Sequence, residues 1–173
     1  MGKFSYQDRL GDYCDAMKGS DKAGLALKDV LAHRAGLFPW IPYHERTLKK
    51  NGNYKKRFIR QDADDKYTVQ VADRLYLSNT FKKKIFKEIR KSELSEQEYR
   101  YSGLSFFLFP TIIEEASGQP YETFLYEQIY RRLGAWELLF HPRDSYPGSR
   151  IIPTEIDSLF RKQLIHGYVH DEG

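Results

Sequence analysis

Apolar residues recur at helical spacing in the second half of the chain, and glycine or proline bounds each run. The repeat of Phe81, Ile85 and Ile89 predicts a helix over 81–91, with a polar residue before it to cap its start. The same criteria predict three more helices, over 104–117, 120–134 and 154–164. Strand-like alternation is limited to two short pieces, 67–71 and 136–140. The pattern therefore predicts a mainly α fold with long irregular loops and little strand.

The long segments between these helices bear on domain organisation. A chain of 173 residues, 40% of them hydrophobic, suffices for one packed core, and we predict a single domain over 1–173. Within it, the basic segment 44–65 contains the turn signal Asn51-Gly52-Asn53 and is predicted to be a flexible loop. Irregular segments of this length are unusual in a small helical domain that folds unaided. They are common in an insertion that packs against a larger structure, which is what we expect here.

Simple features of the sequence exclude several classes of protein. No apolar run approaches the roughly 20 residues that a membrane-spanning helix needs. The opening residues, 1–6, lack the apolar core of a signal peptide. The single cysteine, Cys14, excludes an internal disulfide framework and a cysteine-based metal cluster. We therefore expect no membrane span, no zinc finger and no disulfide-rich scaffold.

Basic charge is concentrated in two stretches of a chain whose net charge is +4. Residues 46–60 contain seven basic and no acidic side chains, and residues 81–91 contain six basic side chains against Glu88. Such a patch can bind a polyanion or an anionic surface. It can also be a lysine-rich loop and a solvated helix face, and neither an RNA-recognition motif nor helix-turn-helix spacing is present. We favour the solvated surface and do not expect nucleic acid as a partner.

The residues by themselves supply no complete catalytic constellation. His166 and His170 have the i, i+4 spacing of a helical metal pair, but Gly167 weakens a helix there and no acidic third ligand follows a motif spacing. None of the eleven serines is followed three residues later by lysine. Ser158 comes nearest, with Arg161 at that position, but arginine stays charged and cannot act as a base. We therefore predict no metal at this histidine pair.

Four segments nevertheless match motifs of one known family, in the family's order. Residues 31–37, Leu-Ala-His-Arg-Ala-Gly-Leu, resemble Leu-x-His-x-Ser-Gly-Leu with Ala35 in place of serine. Tyr101-Ser102-Gly103 resembles Tyr-Ser-Asn, and residues 104–118 resemble the helix after it. Residues 121–134 resemble the following segment, which typically ends in Pro-Leu-Gly, and residues 152–171 resemble the loop with Pro-Thr-Glu and Gly-x-Val-His-Asp. The family is that of the serine β-lactamases and penicillin-binding-protein-like hydrolases of the class C type. The likeness spans about Phe4 to Gly173, and residues 71–77 are similar to a branch fused to glycoside hydrolases.

The resemblance implies a fold, an activity and one site residue. In this family a serine in a Ser-x-x-Lys motif attacks an amide or ester carbonyl, while the lysine and the tyrosine of Tyr-x-Asn move the proton. Tyr101 is the one catalytic position that this chain matches, and Gly103 stands where the family has asparagine. The resemblance places Ser-x-x-Lys before residue 1 and Lys-Thr-Gly or His-x-Gly beyond residue 173. It implies the helical subdomain of a serine hydrolase that acts on a β-lactam, a peptidoglycan peptide or an ester, by a mechanism that needs no metal and no organic cofactor. We expect this chain to be catalytically silent by itself.

Other interpretations stand beside this one. A tyrosine next to a helix start is, without the resemblance, usually a packed aromatic residue, and we interpret His33 and His170 as structural residues that hold loops. The alternative function is a non-catalytic interaction module whose basic patch binds a partner or a polyanion. The expected partners are a small-molecule or peptide substrate and the rest of the α/β domain, in the periplasm or outside the cell. An uncovered packing surface would also favour homo-oligomers.

Overall fold

The computed structural model describes residues 5–171. Residues 1–4, and with them the prediction that the chain opens without a signal peptide, lie outside this range, as do residues 172 and 173. The chain divides into two compact units, one made of Met1–Ile41 and Ile85–Leu138 and the other of Pro42–Lys84 and Leu139–Gly173. Each unit is discontinuous in sequence. The single domain over 1–173 stays a prediction.

The first unit is helical. Its helices are α1 (Leu10–Tyr13), α2 (Leu27–Leu31), the greater part of α3 (Phe81–Lys91), α4 (Leu104–Ser117) and α5 (Tyr121–Leu125), which continues as a π-helical turn over Tyr126–Tyr130; a 3₁₀ turn covers Asp15–Met17. The spacing of Leu104, Leu108 and Ile112 puts these side chains on one face of α4, and all three are buried. The predicted helices over 81–91 and 104–117 are confirmed.

Two basic side chains fasten the loop between α1 and α2 to the end of α3. Lys22 is fully buried, and its Nζ donates to Asp21 Oδ1 at 2.8 Å and to the Ser92 carbonyl at 2.5 Å. The Arg90 guanidinium donates to the carbonyls of Ala16, Lys18 and Gly19. Burying a charge is costly unless it is paired or hydrogen-bonded, and both groups meet that condition. Arg90, one of the basic residues of 81–91, therefore has a structural role.

The second unit is built on antiparallel strands. A three-stranded sheet has the order β1-β3-β2, formed by β1 (Ile59–Arg60), β2 (Val69–Ala72) and β3 (Leu75–Leu77). A separate hairpin pairs β4 (Glu155–Asp157) with β5 (Gln163–Ile165). The unit also contains the start of α3, the short helix α6 (Pro142–Ser145) and 3₁₀ turns over Tyr43–Thr47 and Gly148–Arg150. One core cluster of this unit is formed by the buried residues Ile59, Ala72, Leu75, Phe160 and Ile165.

The prediction of a mainly α fold is wrong. Helix accounts for 35% and strand for 13% of the residues that the structure describes, and the predicted helix over 154–164 is the β4–β5 hairpin. The apolar residues that suggested that helix do not form a buried face, because Ile156 and Leu159 are each 78% exposed and Leu164 is 51% exposed. The predicted strand over 136–140 is also wrong, whereas the piece at 67–71 overlaps β2. The helical spacing in 154–164 was coincidental, and hydrogen bonds to Asp157 select the hairpin instead.

The basic segment 44–65 has local structure. Lys49 and Asn53 close a turn, with the Lys49 N–H donating to the Asn53 carbonyl at 2.8 Å, and the segment contains β1. Lys162 Nζ donates to the Gly52 carbonyl at 2.7 Å, which connects this turn to the β4–β5 hairpin. The turn is confirmed, and the flexibility of the segment stays a prediction. Among residues 5–171, no helix combines the length and the apolar character needed to cross a bilayer.

Candidate active site

Tyr101 lies directly before α4, two residues ahead of the residue Gly103 that caps this helix. Its side chain is 59% exposed. The centroid of its ring lies 4.7 Å from that of His33 and 6.4 Å from that of Phe106, and the last two rings are 5.9 Å apart. We name these three residues the Tyr101 cluster. The cluster joins two of the family-like motifs, the one over 31–37 and the one over 101–103.

Hydrogen bonds hold the backbone around Tyr101 against the first of these motifs. The Arg100 N–H donates to the His33 carbonyl at 2.9 Å, and the Ser102 N–H donates to His33 Nδ1 at 3.3 Å. Ser102 Oγ donates to the Phe38 carbonyl at 2.6 Å, and the Gly103 N–H donates to the Pro39 carbonyl at 3.0 Å. Ser102 is 1% exposed, so its hydroxyl is shielded from water. The segment 33–39 therefore determines where the backbone of Tyr101 lies.

Two residues of the segment after α2 have left-handed backbone conformations. His33 has a φ of 55°, and Gly36 has a φ of 70°. Both values lie in the left-handed region, which glycine enters freely. A Cβ on Gly36 would lie 2.3 Å from the Ser95 carbonyl oxygen, and the Ser95 N–H donates to the Gly36 carbonyl at 2.8 Å. Only glycine fits there, which explains its place in the motif.

Gly103 is different, because its backbone does not require glycine. It has a φ of −67° and a ψ of −18°, in the ordinary helical region, and a Cβ there would meet only the Pro39 carbonyl oxygen, at 4.0 Å. The backbone therefore tolerates a residue with a Cβ. The departure from the family's Tyr-Ser-Asn thus removes a side-chain amide at a position where the backbone does not require glycine.

A second organised segment lies in the other unit, around Arg161. This guanidinium is 4% exposed. It donates to Asp157 Oδ2 at 2.8 Å, to Glu155 Oε1 at 2.9 Å, and to the carbonyls of Val169 and His170 at 2.6 and 2.7 Å. The chain with the Gly-x-Val-His-Asp motif is thereby fixed to the β4–β5 hairpin. Sequence reasoning placed Arg161 in the family-like loop and rejected it as a base, but it missed this role, although the Asp157–Arg161 spacing of four was a signal.

The charge of Asp157 is stabilised by the same arrangement. Burial alone would raise the pKa of this carboxyl group, but hydrogen bonds from the Arg161 side chain and from the backbone N–H groups of Arg161, Phe160 and Leu159 lower it to about 2. The four contacts are 2.8 to 3.0 Å long. Asp157 is therefore a structural anion at neutral pH.

The pair His166 and His170 and an apolar cleft lie elsewhere in the second unit. His170 Nδ1 lies 3.2 Å from Glu155 Oε1, and His166 Nε2 lies 2.6 Å from the Ile151 carbonyl, so the two imidazoles engage different partners. Within the part of the chain that the structure describes, no group of three or more metal-ligating side chains occurs. An apolar cleft of about 450 Å³ in the second unit is lined by β2, Phe140 and Tyr168, and it contains none of the residues of the Tyr101 cluster.

Comparison with known proteins identifies the family. The sequence model of the family described as Beta-lactamase matches residues 1–148, so the chain belongs to the β-lactamase family. A protein of Escherichia coli K12 named "Putative D-alanyl-D-alanine carboxypeptidase" is 28% identical over 193 residues, which cover 99% of this chain and 38% of that protein. The resemblance drawn from the motifs is thereby confirmed.

Solved structures support the same fold. The octameric penicillin-binding protein homologue from Pyrococcus abyssi superposes with a TM-score of 0.58 at 16% identity, over 96% of this chain and 34% of that one. A class C β-lactamase superposes with a TM-score of 0.52 at 13% identity, over 96% of this chain and 40% of that one. The chain spans well under half the length of the relatives it matches. Its fold is part of the serine β-lactamase and penicillin-binding-protein fold.

Proposed function

We propose that this chain is the middle part of a serine hydrolase that cleaves amide or ester bonds, and that Tyr101 is one of its proton-transfer residues. The observation that carries the proposal is the position of Tyr101. It matches the tyrosine of the family's Tyr-x-Asn motif, its ring is exposed at the start of α4, and its backbone is held by a second family motif. A packed structural tyrosine would instead be mostly buried.

The chemistry needs groups from outside this chain. A serine attacks the substrate carbonyl, and the phenol of Tyr101 takes up or returns a proton during acylation. A tyrosine with the reference pKa of about 10 acts as a base near neutral pH only beside positive charge. In the family these charges are lysines of motifs that this sequence lacks, and for that reason we propose that the chain is inactive by itself. The rest of the α/β domain is its necessary partner.

The substrate is proposed from the relatives' names. The carboxypeptidase relatives support a peptide ending in D-alanyl-D-alanine as the first substrate to assay, with a β-lactam and a simple ester as the alternatives. Peptidoglycan substrates are processed outside the cytoplasm, and we propose a periplasmic or extracellular location for the full-length protein. Fractionation of cells that express the full-length protein tests this location. Recovery of the protein in the cytoplasmic fraction would contradict the proposal.

The test is Tyr101→Phe in the full-length protein. Loss of the phenol should lower kcat by about 10²- to 10⁴-fold, the usual contribution of a general acid–base group. It should equally slow acylation by a mechanism-based serine reagent. Tyr99→Phe is the matched control, because Tyr99 is 69% exposed and lies two residues earlier in the same segment. Turnover that survives Tyr101→Phe intact would show that the assignment is wrong.

A further inference from the structure

We propose that His33 is the positioning residue of Tyr101, and that it acts through the hydrogen bond from the Ser102 N–H to its Nδ1 atom. The inference rests on the proposed function in one respect, since it takes Tyr101 as the group that moves a proton. The structural half of the inference stands on the contacts of His33 alone.

His33 bonds to the residues on both sides of Tyr101. Its carbonyl accepts the Arg100 N–H at 2.9 Å, and its Nδ1 accepts the Ser102 N–H at 3.3 Å. Tyr101 is therefore bracketed by two hydrogen bonds to one residue that is remote in sequence. The left-handed conformation of His33, with φ at 55°, accompanies this double contact. A conformation that costs a non-glycine residue free energy persists only where contacts compensate for it.

The imidazole also contacts the ring of Tyr101 directly. The two ring centroids lie 4.7 Å apart with the planes inclined at 44°, and Phe106 contacts the same imidazole at 5.9 Å. Because the phenol is largely exposed, few other contacts hold it, and this ring contact limits its rotation. The backbone bond sets where the side chain starts, and the ring contact sets where the hydroxyl points.

The hydrogen bond from the Ser102 N–H to Nδ1 determines which nitrogen of the His33 imidazole carries the proton. A ring nitrogen that accepts a hydrogen bond carries a lone pair, so the bonded form of His33 is the neutral one with its proton on Nε2. Only a side chain with an acceptor near the Nδ1 position can replace it. Asparagine meets this condition through Oδ1, and it also tolerates the left-handed conformation. Phenylalanine keeps a ring and has no acceptor.

These two substitutions separate the acceptor from the ring. In the full-length protein, His33→Phe should lower kcat by 10- to 100-fold with KM changed less than about threefold, because a misplacement of about 1 Å has effects of that size. His33→Asn should restore kcat to within about fivefold of the wild type. His33→Gly is the third variant. It relieves the backbone strain, lacks both acceptor and ring, and should behave like His33→Phe even if that variant folds poorly.

Nuclear magnetic resonance of the same protein gives a readout that does not depend on catalysis. His33→Phe and His33→Gly should speed exchange of the Ser102 amide hydrogen by at least tenfold and shift the ¹³Cζ resonance of Tyr101, whereas His33→Asn should preserve the slow exchange. Unchanged exchange and an unchanged Tyr101 resonance in His33→Gly would overturn the inference. So would a failure of His33→Asn to restore kcat while it restores the Ser102 amide.

The two proposals fail in distinguishable ways. If Tyr101→Phe leaves kcat intact, the proposed function is wrong, and the resonance measurements still decide whether His33 positions Tyr101. If Tyr101→Phe abolishes turnover while His33→Phe and His33→Gly leave kcat unchanged, the proposed function stands and the positioning role is overturned.

Discussion

Gly36 and Gly118 have nearly the same backbone conformation in different surroundings. Their φ angles are 70° and 72°, but a Cβ on Gly36 would meet the Ser95 carbonyl at 2.3 Å, whereas a Cβ on Gly118 would have nothing within 4 Å. A left-handed alanine costs about 1 to 2 kcal/mol. Overpacking adds about 1 to 3 kcal/mol. The difference between the losses of stability that alanine causes at the two positions therefore measures the steric clash alone.

We expect Gly36→Ala to lower the free energy of unfolding by more than Gly118→Ala, by about 1 to 3 kcal/mol. Urea denaturation of both variants and the wild type measures the difference. Gly118→Ala is the control, since it shares the left-handed cost without the clash. Equal losses at the two positions would contradict the close approach of Gly36 to Ser95.

Asp157 makes the free energy of unfolding depend on pH in the acidic range. The folded pKa of about 2 lies below the ordinary value near 3.8, so the folded state binds this proton more weakly than the unfolded state. The stabilisation is complete above about pH 5 and is lost as the pH falls from about 4 through 2. It amounts to about 2 kcal/mol, and the carboxyl is only 9% exposed, so solvent screening reduces it little.

Asp157→Asn should therefore destabilise the protein at pH 7 and make little difference near pH 2. Urea denaturation at several pH values between 2 and 7 gives the comparison. Asp62→Asn is the control, because Asp62 is 89% exposed and its ion pair with Arg74 is long, at 3.7 Å. A constant difference between Asp157→Asn and wild type across this range would show that the Arg161 contacts do not hold the charge.

At the scale of elements, local patterns predicted helices well and the hairpin badly. Helix α4 follows from the spacing of its apolar residues and from Gly118 at its end, and both signals lie within the element itself. The β4–β5 hairpin depends on Asp157 and Arg161, whose partners include Val169 and His170 outside it. The spacing of apolar residues carries no information about such partners. For this reason the spacing in 154–164 predicts a buried helix face where the structure has exposed apolar residues.

Several basic side chains of the two basic segments already form ion pairs or hydrogen bonds within the protein. Arg60 pairs with Asp64 at 2.9 Å, Lys55 Nζ donates to the Arg46 carbonyl at 3.0 Å, and Arg90 is committed to carbonyls. We expect no binding of a fluorescent 20-nucleotide DNA at micromolar protein, either near 50 mM salt, where contacts to phosphate are strongest, or near 200 mM. Anisotropy titrations at the two salt concentrations measure this.

The alternative function as an interaction module makes the opposite prediction. It requires binding near 50 mM salt that falls steeply toward 200 mM and that weakens when the exposed residues Lys49 and Lys50 are replaced by alanine. Lys55→Ala is the control, since Lys55 is half-buried and bonded within the segment. That combination would make the basic segment, rather than the Tyr101 cluster, the functional surface.

At the scale of the whole molecule, each unit exposes large apolar side chains. In the first unit Leu133 is 75% exposed and Trp136 59%, and in the second Ile152 is 85% exposed. Scattered apolar residues are normal on a surface, but adjacent ones favour association. We expect the isolated chain to form dimers or larger species at millimolar concentration, measured by light scattering. A clean monomer at that concentration would contradict this.

The sequence by itself determined the family, the helices α3 and α4, and the identity of Tyr101 as the residue to examine. These follow from motifs and from apolar spacing, which are properties of short segments. Only the tertiary structure decided that the fold carries so much strand, that Arg161 fixes the last motif, and that His33 brackets Tyr101. The Ser102–His33 bond joins residues 69 positions apart. Contacts of that range depend on how the whole chain packs, and no local pattern encodes them.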